Sequence, residues 1–333
     1  MTVDNNSDQK TRKFALALWV EAAGRAALRE EVLAPPGQGE ALVAMHYSAL
    51  SRGTERLVFS GRIPPVQASL MRAPFQAGEF SFPVKYGYCA VGEILNGPPE
   101  RLGQKVFCLH PHQDFFVAPL GALRPIPDAV PARRAVLAAN LETALNALWD
   151  SGAGPGDRIL VIGAGLVGLL VTALAAGLPG AEVFVCDLDS SRESLAAAFG
   201  ARFVLPESAP RDIDLVFHAS ASAAGLALAL DCAGLEAKVV ELSWYGAGDV
   251  GVPLGGGFHH KRLQLISSQV GQVSPSRRPR WTHARRLDKA LDLLRDPRFD
   301  LLLGEEIVFA DLPSELPRLL ALGAPGLATL IRY

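Results

Sequence analysis

The apolar positions of this chain follow two different rhythms. Up to residue 117 they come in short runs broken by turn residues. Residues 14–20 and 40–47 read as strands, with Pro35-Pro36-Gly37 as the turn between them. Residues 82–94, 103–110 and 114–117 continue the pattern. Many short strands at regular spacing predict a small barrel-like β domain. Residues 132–151 then switch to helical composition, amphipathic over 140–149. Beyond them, strand-like and helical runs alternate. Residues 158–162, 182–186, 203–205, 214–217 and 238–242 read as parallel strands, and 166–178 and 223–235 as helices. Ser190-Ser-Arg-Glu193 is a capping-box pattern that opens a further helix. This alternation predicts a doubly wound parallel sheet. An amphipathic helix over 285–295, a strand over 307–309, a helix over 312–322 and a strand over 327–332 close the chain.

One stretch carries a sharper signal. Arg158-Ile-Leu-Val-Ile162 runs into Gly163, Gly165 and Gly168 in G-x-G-x-x-G spacing, then into an apolar helix, then into a second strand ending at Asp187. Gly163 permits the tight turn, Gly165 lets backbone approach a pyrophosphate, and Gly168 lets the helix pack close to the strand. The helix N-terminus, with Leu166 and Val167 in its first turn, presents free N–H groups to the phosphates. Asp187, about twenty residues past the last glycine, is placed to accept from adenosine ribose hydroxyls. Its charge opposes a 2′-phosphate, so NAD is expected. Ser190 and Arg192 nearby keep NADP open. The uncharged run over 159–178 is about the length of a membrane span, but its flanks lack basic and aromatic anchors and the glycine spacing explains it. His218-Ala219-Ser220 and Leu242-Ser243 end the fourth and fifth strands of this half, where ligands of such sheets bind. His218 is either an acid–base group or a histidine hydrogen-bonded to backbone.

Composition narrows the class. A length of 333 residues suggests two domains, and 49% hydrophobic residues suffice for sizeable cores. A formal charge of −2 gives no reason to expect nucleic acid or an anionic membrane as partner. The basic clusters at 258–262 and 277–286 read as solvated, charge-balanced surface. Cys89, Cys108, Cys186 and Cys232 are widely spaced, which fits reduced thiols in a cytoplasm. Residues 1–13 are polar, lack the apolar core of a signal peptide and read as a loose tail.

The domain order and landmarks resemble the medium-chain dehydrogenase/reductase superfamily, alcohol dehydrogenase-like. Gly87 falls at that family's Gly-His-Glu step, Gly103-Gln-Lys-Val106 at its Gly-Asp-Arg-Val step, and Leu141-Glu-Thr at its Leu-Glu-Pro step. Ser51-Arg-Gly-Thr-Glu55 and Phe59-Ser-Gly-Arg-Ile-Pro64 resemble a branch that includes bacteriochlorophyllide-type dehydrogenases. The resemblance implies a GroES-like catalytic domain over 1–146, completed by 285–333, and a Rossmann domain over 147–284. It implies hydride transfer between a nicotinamide dinucleotide and an alcohol or carbonyl in the interdomain cleft. It also implies a homodimer acting on a small molecule; with the charge balance and cysteine spacing above, a cytoplasmic protein with no nucleic-acid or membrane partner is expected. An enone or quinone reductase, or a nucleotide-binding sensor without turnover, are the alternatives.

The departures from that family matter most. Ser51 or Arg52 stands where a zinc-ligating cysteine would fall, and Tyr88-Cys89 where His-Glu would fall. Only Glu142 remains from the third ligand position. One carboxylate cannot make a catalytic zinc site, so no zinc is expected. Cys108, His110 and His112 alternate, and a regular strand would put them on one face as a rival metal site, though Pro111 argues against that strand. The positional match offers Thr54 and Tyr88 as hydroxyl donors to a substrate oxygen, and Glu55 and Glu142 as groups that orient them or move a proton. Arg52 could clamp an acidic substrate. The plainer alternatives are that Thr54 caps a turn or helix, that Tyr88 is core, and that Glu142 pairs with Arg52.

Overall fold

The structure is a computed structural model that describes residues 12–333. Most of the expected loose tail lies outside the described residues. The chain divides into two compact units. One contains the residues up to Ala139 together with Leu291–Tyr333, and the other is Asn140–Ala290.

The first unit opens with β1 (Phe14–Ala22) and β2 (Arg25–Val32), an antiparallel pair. The sequence pattern does not mark β2, because this strand pairs only with β1 at the edge of its sheet and is nowhere fully buried. An edge strand with polar residues on both faces loses the two-residue alternation that betrays a strand. β3 (Glu40–Ala49) leads into a helix, Arg52–Phe59. After β4 (Ala77–Gly78) and β5 (Val84–Lys85), a small sheet closes in the order β2-β1-β5-β4. β6 (Ala90–Asn96), β7 (Lys105–Cys108), β8 (Phe115–Pro119) and β9 (Arg124–Pro125) follow.

The second unit is built on β10 (Arg158–Ile162), β11 (Glu182–Cys186), β12 (Arg202–Val204), β13 (Ile213–His218), β14 (Ala233–Glu241) and β15 (Gln264–Ser267). They form one parallel sheet in the order β12-β11-β10-β13-β14-β15. This is the doubly wound arrangement, whose strand order reverses beside β10. The strands are apolar on both faces because helices cover them. Ile159, Leu160, Val161, Val216, Phe217, Val239 and Val240 are all buried. The uncharged run over 159–178 is a strand, a glycine turn and the helix Leu166–Ala175. Among the described residues no helix is long and apolar enough to cross a membrane. The expected helix over 223–235 ends at Cys232, because Ala233 already begins β14.

The return segment supplies β16 (Leu303–Val308) and β17 (Ala328–Arg332) to the first unit. Its larger sheet runs β16-β17-β3-β6-β7-β9, with β8 also on β3. The core here includes Val43, Ile94, Val106, Cys108 and Phe116.

His110 belongs to this unit's interior. β7 ends at Cys108, so Cys108, His110 and His112 do not lie along one regular strand. The His110 ring stacks on Phe116 with centroids 3.9 Å apart and planes 12° off parallel. Its Nδ1 donates to the Pro111 carbonyl at 3.0 Å. Burial drives its pKa down to about 3, so the folded imidazole is neutral. The unfolded imidazole takes up its proton near pH ~6.5. Between those values unfolding binds a proton, so stability is full above about pH 6.5 and falls as pH drops toward 3. The slope from this group is at most about 1.4 kcal/mol per pH unit. Urea midpoints at pH 7 and pH 5 check this: the wild type should lose stability over that interval, and His110→Phe should lose distinctly less.

Candidate active site

The glycine turn of the second unit is built for close backbone approach. Gly163 has φ +106°, and a Cβ there would lie 2.8 Å from the Ser220 nitrogen. A Cβ on Gly168 would strike the Gly163 carbonyl oxygen. A Cβ on Gly165 would meet nothing within 4 Å, so open space faces that residue. The helix it precedes has no side-chain cap, which leaves its first N–H groups for an anion. Asp187 ties this turn together: its Oδ2 accepts from the Ala164 N–H at 2.6 Å and its Oδ1 from the Asp189 N–H at 2.9 Å. These features suit a pyrophosphate at the helix N-terminus with a ribose beside Asp187. The capping expected of Ser190 is done by Asp189, whose carboxylate accepts from the Ser191 N–H at 3.0 Å. Arg192 pairs with Asp189 at 3.1 Å, so its charge is already engaged locally.

At the ends of β13 and β14 stands a polar array that the sequence shows only in part. The parallel register sets His218 opposite Glu241. His218 Nδ1 lies 2.7 Å from Glu241 Oε2, and His218 Nε2 lies 2.7 Å from Ser220 Oγ. Glu241 also accepts from the Ser243 N–H at 2.7 Å and the Tyr245 hydroxyl at 3.1 Å. Burial pushes the Glu241 carboxyl up, but hydrogen bonding and charge from His218 outweigh it, and the net shift is downward. Ser243 Oγ accepts from the Ala221 N–H at 3.1 Å, and the Leu242 N–H donates to the His218 carbonyl at 2.9 Å. His218 is therefore neither isolated nor bound only to backbone.

In the first unit, the helix Arg52–Phe59 brings Thr54 and Glu55 toward Tyr88. The phenol shares hydrogen bonds with the Ser51 and Thr54 side chains. Burial, with the Glu55 carboxylate nearby, holds its pKa far above the ordinary value. Ser51 is the N-cap of this helix and Thr54 lies inside its first turn, so Thr54 is not the cap. Glu55 is buried. Its Oε1 accepts from the Ser51 N–H at 2.7 Å, and its Oε2 meets His112 Nε2 at 3.0 Å. His112 Nδ1 lies 2.8 Å from Ser48 Oγ, which lies 2.9 Å from the Tyr333 hydroxyl. Glu55, His112, Ser48 and Tyr333 thus form one continuous chain of polar groups. Gly87 makes room for it: φ is +122°, and a Cβ would sit 2.8 Å from His112 Cδ2. No signal in the sequence joins Ser48 and Tyr333, which lie 285 positions apart.

Glu142 belongs to the second unit, and its partner is not Arg52. The Arg286 guanidinium donates to Glu142 Oε1 at 2.9 Å and also to Asn146 Oδ1 and the Gln272 and Val270 carbonyls. Both charged side chains are almost fully buried. Burial raises the Glu142 carboxyl, only partly offset by Arg286. Arg52 instead donates to the carbonyls of Ala324, Pro325 and Gly326. Among the described residues no group of three or more His, Cys, Asp or Glu side chains could hold a metal ion. In the first unit Tyr88 is a protonated phenol bonded to hydroxyls, and in the second Glu142 is held by a guanidinium.

No family profile matches the chain. It is similar to sorbitol dehydrogenase of Ovis aries, 25% identical over 266 residues that make up 67% of this chain and 70% of that protein. It is also similar to 2-desacetyl-2-hydroxyethyl bacteriochlorophyllide A dehydrogenase of Rhodobacter capsulatus, 28% identical over 204 residues, 56% of this chain and 60% of that protein. Among solved structures it resembles a zinc-binding dehydrogenase from Sinorhizobium meliloti 1021 bound to NADP. The TM-score is 0.77 at 17% identity, over 97% of this chain and 100% of the other. The fold is therefore a Rossmann sheet with a GroES-like β unit.

The Glu142–Arg286 pair generates a sharp expectation. Glu142→Gln leaves a buried guanidinium without its carboxylate and should cost about 3–5 kcal/mol, read as a lower urea midpoint. The double variant Glu142→Gln/Arg286→Met should recover much of that loss. Equal loss in the single and double variants would contradict the pairing as the source.

Proposed function

We infer that this alcohol dehydrogenase-like member of the medium-chain dehydrogenase/reductase superfamily moves hydride between a nicotinamide dinucleotide and the carbonyl carbon of a small alcohol or ketone, without zinc. The relatives named above are dehydrogenases, and the glycine turn with Asp187 suits the dinucleotide. NAD is the expected form, because Asp187 stands where a 2′-phosphate would meet its charge. Bound there, the dinucleotide supplies or accepts the hydride.

The observation that carries the metal-free reading is the Tyr88 cluster. In carbonyl reduction, negative charge develops on the substrate oxygen and needs a donor aimed at it. A zinc ion would serve as Lewis acid. Here the Tyr88 phenol stands at the family's ligand position, held in orientation by Ser51 and Thr54. Its raised pKa keeps the proton on the oxygen at neutral pH, so Tyr88 donates to the developing alkoxide. The phenol proton passes to the alkoxide and the tyrosinate is reprotonated from its surroundings; oxidation is the reverse, with the alcohol proton passing to the tyrosinate as the hydride leaves carbon. Glu55 sits behind this group with the chain through His112 and Ser48 to Tyr333, which offers a path for proton exchange with the phenol's surroundings. Glu142, held by Arg286, has a supporting role.

Tyr88→Phe tests this reading. With a panel of ketones and aldehydes, kcat should fall about 100-fold or more, while the dissociation constant for NADH stays unchanged. Metal analysis of the purified protein should find no stoichiometric zinc. One tightly bound zinc per chain, or full activity of Tyr88→Phe, sinks the metal-free mechanism. Turnover on enones with none on simple carbonyls would assign the enone reductase activity instead.

A further inference from the structure

The polar array at the ends of β13 and β14 reaches the surface at the hydroxyls of Ser220 and Ser222. His218 is fully buried and Glu241 mostly so, yet the hydroxyl they lead to, Ser220, is exposed. A buried imidazole and carboxylate are costly unless fully bonded. Here every polar atom of the pair has a partner, and the line of bonds runs outward from Tyr245 and Glu241 through His218 to Ser220. An ionised Glu241 only accepts, so His218 Nδ1 carries a proton. With a neutral ring, Nε2 then accepts from the Ser220 hydroxyl, Ser222 donates to one lone pair of Ser220 Oγ, and the other is left for a ligand. Ser222 Oγ, 2.9 Å from Ser220 Oγ, is itself engaged as acceptor from the Gly225 N–H at 3.0 Å.

Two backbone features serve this arrangement. Ala221, between the two serines, has φ +52°, a left-handed conformation that a non-glycine residue adopts only at a cost. Gly225 lies directly under the array: a Cβ there would strike Ser220 Oγ and stand 2.7 Å from His218 Nε2. Only glycine leaves the serine–histidine contact intact.

The sheet order says what Ser220 faces. β10 lies between β11 and β13. Asp187 follows the end of β11, on one side of the glycine turn, where the adenosine ribose belongs. Ser220 follows the end of β13, on the other side, with its backbone nitrogen packed against Gly163. A dinucleotide whose phosphates sit over the turn therefore extends its second nucleoside toward Ser220. We propose that Ser220, positioned by the buried His218–Glu241 pair, binds a hydroxyl of the ribose in the nicotinamide half of the dinucleotide. This rests on the dinucleotide reading above and adds a recognition group for the second ribose. Ser220 is the contacting residue, and His218 and Glu241 are positioning residues.

Three probes separate the halves of the ligand: ADP, which lacks the second ribose, ADP-ribose, which has it, and NADH, which adds the ring. Their dissociation constants are measured by calorimetry for the wild type, Ser220→Ala, His218→Gln and the double variant. Loss of one hydrogen bond should weaken ADP-ribose and NADH about 5–10-fold in Ser220→Ala and leave ADP unchanged. His218→Gln should show the same selective loss, and the double variant should lose no more than either single one, since both act on one bond. Gly225→Ala, which touches no ligand, should reproduce the pattern if His218→Gln does not fold. Equal affinities for all three probes in Ser220→Ala overturn the proposal. So does a loss for NADH alone, which would put the contact on the ring, or an equal loss for ADP, which would signal general disturbance. A wild type that binds none of the three overturns the dinucleotide reading itself.

Discussion

The second unit depends on one close approach of backbone to backbone. The helix Leu166–Ala175 meets the turn after β10 with no room for a single Cβ, because Gly168 lies against the Gly163 carbonyl. That contact lets a helix apolar on nearly all sides press onto the sheet, and it points the helix N-terminus at the turn. From it follow the open space beside Gly165, the packing of Gly163 on Ser220, and the placement of Asp187 and Ser220 on opposite sides of one turn. A larger residue at 168 would push the helix away and remove the N–H groups that suit a phosphate.

The rest of the chemistry is organised by buried polar groups that must find partners. Three such sets recur. Glu55, His112, Ser48 and Tyr333 form one, Glu142, Arg286 and Asn146 a second, and Glu241, His218 and Ser220 a third. Each joins residues that are distant in sequence, and each satisfies its charge internally. The first backs the Tyr88 phenol and the third ends in an exposed hydroxyl. The second ends nowhere exposed, which suits a structural role. Glycines make two of these sets possible, Gly87 beside His112 and Gly225 beside His218, where a methyl group would displace an imidazole.

Much of this was legible in the sequence, for identifiable reasons. The β10 strand, the glycine turn and Asp187 are local features whose spacing is dictated by one strand–turn–helix unit, so their order along the chain already specifies their geometry. Parallel strands buried on both faces appear as unbroken apolar runs, and all but the edge strand β15 were visible. β2 was not, since an edge strand half-exposed on both faces has no alternation to read. The Arg52–Phe59 helix followed too closely on β3 for its period to stand out. The alternating Cys108, His110 and His112 suggested a shared face, but β7 stops at Cys108, and the two imidazoles go to different neighbours, Phe116 and Glu55.

What the sequence determined by itself was the class of ligand, because it rests on residue identity at positions set by local structure. Only the tertiary structure decided the partners. Glu142 could have met Arg52 or another cation, and it is Arg286, 144 positions away, that reaches it. His218 became part of an array because the parallel register of β13 and β14 sets Glu241 opposite it. A hydrogen bond is decided by distances of a few tenths of an ångström, and those are fixed by how strands register and helices pack, which no spacing along the chain encodes.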